Sequence, residues 1–260
     1  MYITVLGSSA KQTGLRECVS ILIDTETSSI LFDAGPGVVS AINKANRKST
    51  SINSVILTHV HGDHSLGFAY LIFDRNGELK KIKDYKKEDY SLTVYGMSDT
   101  LELAQKTLEL AYPGMKLLFD INYVKIEEYN QIKIGDLTTD FIPAIHTVPT
   151  FSTVMSCSGT KFVYTSDTLP NDNLIQLSMN ADFLIHEGMY TMTHYEKSRK
   201  SKHSTAADAA QFATKIKAKQ LVLVHIAPFM FGNEANLLNE VSNYYKGNTS
   251  IPSDGCIYLV

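Results

Sequence analysis

The segment Thr58-His59-Val60-His61-Gly62-Asp63-His64 follows directly after the apolar run at residues 54–57. It carries four potential metal ligands within six positions, which are His59, His61, Asp63 and His64. An apolar run of this kind predicts a buried strand, so the four side chains are expected in one loop at its carboxyl end. Imidazole nitrogen and carboxylate oxygen are ligands that Zn²⁺ takes in proteins. The spacing therefore predicts a metal site, because few packing needs require four such side chains so close together.

This mixture of ligands suits two metal ions rather than one. Two ions about 3.5–4 Å apart act as a clamp for hydrolytic displacement and make a bound water acidic. Four ligands from one loop cannot complete two such sites. Three further candidates stand where predicted strands end: His146, Asp167 and His225. A side chain at a strand end is held by a rigid element and yet faces a cleft, so these three residues are expected to join the site.

Composition sets the class of protein. With 260 residues, 44% of them hydrophobic, the chain is long enough for a sizeable core in one large domain or two small ones. The three cysteines, Cys18, Cys157 and Cys256, are widely spaced, which favours a reducing cytoplasm over a disulfide framework.

The net charge of −3 argues against broad, nonspecific binding to nucleic acid. No targeting sequence is evident, and no apolar run approaches the roughly 20 residues that span a bilayer, so we expect a cytoplasmic protein without membrane contact.

Short strand-like runs and a few helical stretches alternate along the chain. Strands are expected at residues 2–6, 19–24, 29–33, 55–58, 92–95, 123–126, 137–144, 161–165, 182–186 and 221–225. Helices are expected from the turn at residues 33–37 toward residue 46, and at residues 99–111, 205–216 and 234–245. This mixture predicts a layered α/β domain with two central sheets and helices outside. We expect a single domain over residues 1–260 with a solvated surface insertion at residues 74–90, where lysines and acidic residues nearly balance.

The order of the candidate ligands resembles that of the metallo-β-lactamase-fold hydrolases across nearly the whole chain. The resemblance implies a four-layer αβ/βα sandwich with two zinc ions per chain. It assigns the ligands as follows: to the first ion His59, His61 and His146, to the second Asp63, His64 and His225, and to both, as a bridge, Asp167. It also implies that Asp63 orients the nucleophile or takes its proton. A carboxylate rather than a cysteine at position 167 is the pattern of the phosphodiesterase branch.

A second group of residues bears on the chemistry. Glu187 ends a predicted strand, and His203-Ser204-Thr205 opens a predicted helix, where a phosphate oxygen is favoured. His203 can there donate a proton to a leaving alkoxide, while Glu187 orients it and raises its pKa. We predict His203 and Glu187 as catalytic residues together with Asp63, and His203 and Ser204 as contacts to the substrate. Taken alone, His203 is equally well explained as a surface residue near a helix cap.

The sequence is similar to the transfer-RNA 3′-processing ribonucleases of the RNase Z type. These enzymes carry a His-Glu-Ala-Thr stretch and a downstream His-Ser-Thr, and this chain has His-Glu-Gly-Met at residues 186–189 and His-Ser-Thr at residues 203–205. The runs Leu-Gly-Ser-Ser-Ala at residues 6–10 and Phe-Asp-Ala-Gly-Pro-Gly at residues 32–37 also match. The resemblance implies phosphodiester hydrolysis with zinc, or with manganese in some members.

One departure from the RNase Z pattern concerns the substrate. The tRNA enzymes place a long Gly/Pro-rich arm, which grips the tRNA elbow, between the positions of His146 and Asp167. Here only 20 residues separate the two, enough for a hairpin and no more. Armless relatives include the anti-Pycsar phosphodiesterases, which open cyclic mononucleotides, as well as cyclic ribose-phosphate phosphodiesterases and single-strand exonucleases.

These observations favour a dinuclear zinc phosphodiesterase that hydrolyses 3′,5′-cyclic mononucleotides to linear nucleotide monophosphates and so evades or regulates cyclic-nucleotide immune signalling. The alternative is an RNase Z-like endonuclease or exonuclease acting on RNA or DNA 3′ ends. A lactonase or thioesterase is disfavoured, because those reactions need no pair such as His203 and Glu187. A non-catalytic binding protein is disfavoured, because all seven candidate ligands are present.

We also expect a homodimer. This expectation rests on the resemblance and on a basic stretch beside His203 that can cover a neighbouring active site or hold the phosphate, formed by Lys197, Arg199, Lys200 and Lys202. A small cyclic nucleotide needs a stacking side chain near the cleft, for which Tyr190, Phe229 and Phe231 are the candidates.

Overall fold

The computed structural model describes residues 1–260 and contains two seven-stranded β-sheets with helices on their outer sides. The first sheet has the order β14-β1-β2-β3-β4-β5-β6. Its strands are β1 (Tyr2–Gly7), β2 (Ser20–Asp24), β3 (Ser29–Phe32), β4 (Ser54–Ile56), β5 (Leu92–Gly96), β6 (Ile121–Lys125) and β14 (Cys256–Leu259). The second has the order β13-β12-β11-β10-β9-β8-β7. Its strands are β7 (Gln131–Ile134), β8 (Leu137–Pro143), β9 (Phe151–Cys157), β10 (Thr160–Tyr164), β11 (Phe183–Glu187), β12 (Gln220–Val224) and β13 (Asn248–Ser250).

Eight α-helices accompany the sheets. They are α1 (Val38–Lys44), α2 (Gly62–Ser65), α3 (Phe68–Leu79), α4 (Ser98–Ala111), α5 (Ile175–Ser178), α6 (Tyr195–Ser201), α7 (Ala206–Lys215) and α8 (Glu234–Tyr244). Short 3₁₀ turns lie at Ser49–Ser51, Lys87–Tyr90, Asp172–Leu174, Met192–His194 and Pro228–Met230. No helix is both long enough and apolar enough to cross a membrane.

Three buried apolar clusters hold the layers together. One fills the space between the sheets, where Phe32 of β3 and Tyr164 of β10 meet edge to face with ring centroids 5.7 Å apart. A second lies between the first sheet and α1, α3 and α4. A third lies between the second sheet and helices α7 and α8. The order of layers is therefore helix, sheet, sheet, helix, which confirms the predicted αβ/βα sandwich of the metallo-β-lactamase fold.

Parallel strands bring the candidate site together. In the first sheet β3, β4, β5 and β6 run parallel, and in the second β10, β11, β12 and β13 do so. The segment Thr58–His64 follows β4, Asp167 follows β10, and His225 follows β12. Since the carboxyl ends of parallel strands meet at one edge of a sheet, both sheets deliver these side chains to the same end of the sandwich.

The connection between His146 and Asp167 is a tight hairpin. β9 and β10 pair antiparallel, with Cys157 opposite Thr160. The two residues between them, Ser158 (φ 48°) and Gly159 (φ 83°), are both left-handed, as a two-residue hairpin turn requires. The chain thus has no protruding arm at this position, as its length predicts.

The segment at residues 74–90 differs from the predicted loop. Its first six residues are the carboxyl-terminal part of α3, and Arg75 within them is only 2% exposed. The Arg75 guanidinium donates to the backbone carbonyls of Ser49, Ile52 and Tyr90, so the helix anchors both flanking loops. The predicted surface stretch is therefore confined to residues 80–90, of which 87–90 form a 3₁₀ turn.

Candidate active site

Asp167 stands at the centre of the candidate site. Its side chain is buried, and its Oδ2 atom lies 3.3 Å from Nε2 of His64, 3.3 Å from Nε2 of His225 and 3.7 Å from Nε2 of His59. Burial alone would raise the pKa of Asp167, but the imidazoles of His225 and His64 hold it well below its usual range. Nε2 of His146 at 3.8 Å and Nδ1 of His203 at 3.9 Å also face this oxygen, so an ionised carboxylate is surrounded by ring nitrogens from four separate segments of the chain.

The structure brings all seven predicted ligands together. Their candidate ligand atoms form two groups, each with its atoms within 4.8 Å of one another. The first group consists of His59, His61, His146 and Asp167, and the second of Asp63, His64 and His225. A third group overlaps them and joins Asp167 and His225 to His203. Burial is the main reason that the pKa of His59, His61 and His146 is lowered, in His146 to about 4. These three imidazoles are neutral at pH 7 and keep a nitrogen lone pair for a metal ion.

The donor set fits divalent metal ions. Nε2 of His64 and Oδ1 of Asp167 are buried and have no hydrogen-bond partner in the protein. Buried polar atoms are nearly always paired, so unpaired ones in a cluster of imidazoles and carboxylates fit the donor set of a metal cation. Imidazole nitrogen and carboxylate oxygen are suited to metals such as zinc and manganese.

Asp33 is a residue at this site whose role the sequence did not reveal. It follows β3, is fully buried, and its carboxylate accepts hydrogen bonds from the ring of His64 at 2.8 Å and from the hydroxyl of Tyr164 at 3.0 Å. It also accepts from the backbone N–H and the hydroxyl of Thr58. Asp33 thereby fixes the ring of His64, and its place directly after a buried strand was the available signal.

Three buried residues of the site have left-handed backbone conformations that only glycine adopts freely. They are Asp33 (φ 60°), Ser166 (φ 53°) and His225 (φ 58°), and each follows a strand. Such conformations are costly and persist where the surrounding structure enforces them. They turn the chain sharply, so that the side chains at the strand ends point into the centre.

His203 and Glu187 form a buried pair beside this cluster. Nδ1 of His203 lies 3.2 Å from both carboxylate oxygens of Glu187 and 3.9 Å from Oδ2 of Asp167. Burial alone would lower the pKa of His203, but the Glu187 carboxylate outweighs it and raises the pKa to about 9. His203 is therefore protonated at neutral pH, with Nδ1 directed to Glu187 and Nε2 free to donate elsewhere.

The loop that carries His203 is held by its neighbours. The backbone N–H of His203 donates to the carbonyl of Ser198, and the Ser198 hydroxyl donates back to the carbonyl of His203. Thr205 caps α7 through a reciprocal capping box with Asp208. The hydroxyl of Ser204 was predicted to contact substrate, but it is fully buried and donates to the carbonyl of Thr168 at 2.6 Å. Its side chain therefore supports the loop instead of facing the cleft.

Three of the four basic residues beside His203 already have partners within the chain. Arg199 pairs with Asp208 at 2.7 Å, the Lys202 ammonium donates to the backbone carbonyl of His146, and Lys197 lies over aromatic rings. Only the side chain of Lys200 is left without such a contact. The basic stretch therefore makes most of its side-chain contacts within its own chain.

The four-layer αβ/βα sandwich and the histidine- and aspartate-rich centre define a metal-dependent hydrolase of the metallo-β-lactamase fold. Comparison with known proteins gives the family. The chain matches the family described as "Anti-Pycsar protein Apyc1" over residues 1–236, and it belongs to that family.

Among characterised sequences, the chain is similar to ribonuclease Z of Natronomonas pharaonis, with 24% identity and coverage of 97% of this chain and 96% of the relative. It is 26% identical to ribonuclease Z of Prochlorococcus marinus strain MIT 9301, with 98% of each protein covered. These alignments run over 299 and 318 residues, whereas this chain has 260. The ribonucleases therefore carry insertions that this chain lacks.

Solved structures with the same fold include YhfI from Bacillus subtilis, with a TM-score of 0.83, 23% identity and coverage of 99% of this chain and 98% of that one. The short form of human tRNase Z has a TM-score of 0.81 at 21% identity, with 100% and 99% covered. A diphosphatase of the PhnP family has a TM-score of 0.74 at 17% identity, with 100% and 97% covered. These likenesses confirm the fold.

Proposed function

We propose that this protein is a dinuclear zinc phosphodiesterase that hydrolyses 3′,5′-cyclic mononucleotides to linear nucleotide monophosphates. The observation that carries the proposal is the position of the protonated His203, whose Nδ1 lies 3.9 Å from the central Asp167 carboxylate. A proton donor and a candidate dimetal cluster thus share one centre, which is what cleavage of a phosphate ester with an alkoxide leaving group requires. The family description supports a role against cyclic-nucleotide immune signalling.

In this proposal each side chain has a defined task. The chemistry that two bound zinc ions supply is polarisation of the phosphoryl oxygens and acidification of a water molecule. Asp63 is 30% exposed at its side chain and has a lowered pKa because hydrogen bonding to His225 outweighs burial, so it is available to orient and deprotonate the attacking water. His203 donates the proton on Nε2 to the departing 3′-oxygen. Glu187 holds the other ring nitrogen and keeps His203 charged until that step.

The number and identity of the metals are part of the proposal. Asp167 is a neighbour of both ligand groups, so its carboxylate would be available to both of two bound ions. We expect about two zinc ions per chain by elemental analysis of protein purified without chelator, and manganese as a substitute that also supports turnover. A single ion per chain at saturation would contradict the dinuclear assignment.

The absence of an arm supports a small substrate. β9 and β10 are joined by two residues, and the net charge of −3 argues against broad electrostatic attraction to tRNA. A cyclic mononucleotide presents a single phosphate, so few counterions are released on binding. We therefore expect the KM for a cyclic mononucleotide to change little between low and moderate salt.

The test is a comparison of kcat/KM for a panel of 3′,5′-cyclic mononucleotides with that for a structured pre-tRNA, with analysis of the products. We expect efficient ring opening and poor pre-tRNA cleavage. The second candidate function, an endonuclease or exonuclease on RNA or DNA 3′ ends, is favoured by the two ribonuclease Z relatives. Higher kcat/KM on the polynucleotide would establish that alternative and overturn the cyclic-nucleotide proposal.

A homodimer is also part of the proposal. Its support is the family resemblance, since the basic stretch is mostly engaged within its own chain. Light scattering at micromolar concentration should give twice the mass of one 28.9 kDa chain. A monomer at that concentration would rule out a site shared between two copies.

A further inference from the structure

Next to His203 lies an aromatic cluster that the proposed reaction does not use. It consists of Tyr190, His194 and Phe229, with the ammonium of Lys197 beside them. Tyr190 and Phe229 are stacked with ring centroids 6.0 Å apart, and His194 lies 5.0 Å from Phe229. The three rings come from the loops that follow β11 and β12, which are the strands that end at Glu187 and just before His225.

The cluster is continuous with the catalytic centre. The ring of Tyr190 is buried and meets the ring of His203 edge to face at 6.5 Å, while Phe229 lies on it from another side. The Phe229 ring therefore stands no more than 12.5 Å from that of His203, the combined length of these two ring separations. A nucleoside phosphate held at the metals can span this distance with its phosphate, sugar and base together, so that its base reaches Phe229.

Phe229 is unusual among the rings of this cluster because 48% of its surface is exposed. Contacts with Tyr190 and His194 hold the Phe229 ring in place. Binding of a ligand to its flat apolar face therefore costs little side-chain conformational entropy. Lys197 lies 4.9 Å from its centroid and 5.3 Å from that of Tyr190, and it makes no ion pair with a carboxylate. A rigid, half-exposed ring beside a cation that no carboxylate neutralises has the character of a platform for a nucleobase.

We infer that Phe229, backed by Tyr190 and flanked by Lys197, is the nucleobase-stacking subsite of this enzyme. The inference deepens the proposed function and rests on it for the phosphate position. Every base has a π-face, so the subsite discriminates nucleotides from sugar phosphates without selecting one base. The Lys197 ammonium adds an electrostatic contact to the base or to its phosphate.

The experiment measures equilibrium binding without turnover. The zinc-loaded protein is titrated with a nucleoside 5′-monophosphate and with ribose 5-phosphate, which has the same phosphate and sugar but no base. Stacking on one aromatic side chain is worth roughly 5- to 150-fold in affinity, and we expect the wild type to prefer the nucleotide by a factor in this range. Phe229→Ala should remove this preference and leave binding of ribose 5-phosphate unchanged, whereas Phe229→Trp should retain it.

Tyr244→Ala is the matched control. Tyr244 is an aromatic residue that is 45% exposed, as Phe229 nearly is, but it lies on α8 and not in the aromatic cluster. This variant should bind both ligands as the wild type does. A wild type without a preference for the nucleotide, or a Phe229→Ala protein that keeps it, would overturn the subsite. Failure of the proposed function would give a different result, because the wild type would then leave cyclic nucleotides intact. The binding preference would still show whether Phe229 stacks on the base.

Discussion

Lys202 and His146 hold each other through two hydrogen bonds that run in opposite directions. Nδ1 of His146 donates to the backbone carbonyl of Lys202 at 3.0 Å, and the Lys202 ammonium donates to the backbone carbonyl of His146 at 2.9 Å. Lys202 has a left-handed backbone with φ 54° and directly precedes His203. Lys202 therefore connects the candidate metal ligand His146 to the candidate proton donor His203. A change at Lys202 should affect the positions of both.

Removing the Lys202 ammonium should therefore weaken metal binding and catalysis together. We expect Lys202→Met to reduce zinc affinity and kcat by at most about tenfold, because it removes the hydrogen bond to the His146 backbone but keeps the Lys202 carbonyl that holds the His146 ring. Zinc affinity is measured by competition with a chromophoric chelator. Lys200→Met is the control, because Lys200 lies in the last turn of α6, which ends directly before Lys202, and makes no such contact. Equal behaviour of the two variants would show that the hydrogen bond to His146 has no functional weight.

Asp63 tests the assignment of the attacking water. Asp63 lies on the short helix α2, with its Oδ2 3.3 Å from Nε2 of His225. Its side chain is partly exposed, so Asp63→Ala should abolish hydrolysis without unfolding the protein. Turnover of a cyclic mononucleotide and the thermal unfolding midpoint are measured in zinc-replete buffer. Asp172→Ala, which removes an exposed carboxylate on a 3₁₀ turn, should leave both unchanged. Wild-type turnover by the Asp63 variant is the result that refutes its role.

His203 should act as an acid toward the leaving group. His203→Ala is expected to lower kcat for a cyclic mononucleotide by on the order of 10²–10⁴, the usual worth of a positioned acid or base. An ester with a p-nitrophenolate leaving group needs no proton, so its hydrolysis should fall much less. Zinc content should stay the same, because Glu187 rather than a metal is the partner of His203 here. Equal losses on both esters would indicate a structural role, and loss of a zinc ion would make His203 a ligand.

The sequence located the site because each candidate ligand stands at the end of an apolar run. This signal sufficed for His146, Asp167 and His225, which lie far apart in the chain but meet in space. The same signal marks Asp33, which follows a buried strand, but it does not identify His64 as the partner of Asp33, since hydrogen bonding between distant loops leaves no local pattern. The same reason hid the contact between Lys202 and His146.

Elements with buried polar side chains were missed. β9 (Phe151–Cys157) contains Ser152 and Thr153, which are fully buried and donate to backbone carbonyls beside β10, so the strand lacks an alternating apolar pattern. Helix α3 was missed because it buries Arg75 and Asn76 and contains Gly77. Tertiary hydrogen bonds stabilise both elements, and propensity alone does not predict such bonds.

Gly35 is required by close packing behind the metal loop. A Cβ atom at this position would lie 1.8 Å from the backbone oxygen of Asp63 and 2.8 Å from Cβ of Cys18. Gly35→Ala should therefore displace the ligand loop and lower both zinc content and the unfolding midpoint. Gly77→Ala is the matched control: its Cβ would meet nothing within 4 Å on α3, so it should be neutral or stabilise the helix by up to about 1 kcal/mol. A Gly35→Ala protein with full zinc content would contradict the packing argument.

His186 should make the stability of the protein depend on acid. It lies fully buried on β11, donates from Nδ1 to the carbonyl of Glu187, and packs on Phe212 with ring centroids 5.5 Å apart. Burial lowers its pKa from 6.5 to about 4. Between these values the unfolded chain binds a proton that the native chain does not, so native stability falls as the pH falls. Each pKa unit corresponds to about 1.4 kcal/mol, so the loss is on the order of 3 kcal/mol and is complete near pH 4.

The substitution His186→Asn isolates this effect, because asparagine keeps an amide donor near the position of Nδ1 but does not titrate. The free energy of unfolding of both proteins is measured with urea from pH 7.5 to pH 4, with the metals removed. The difference between variant and wild type should be constant above pH 7 and should shift in favour of the variant as the pH falls from 6.5 toward 4. Subtracting the free energy of unfolding of the wild type from that of the variant cancels the contribution of the other histidines, which both proteins share. A difference that does not change with pH would show that His186 is not held neutral by burial.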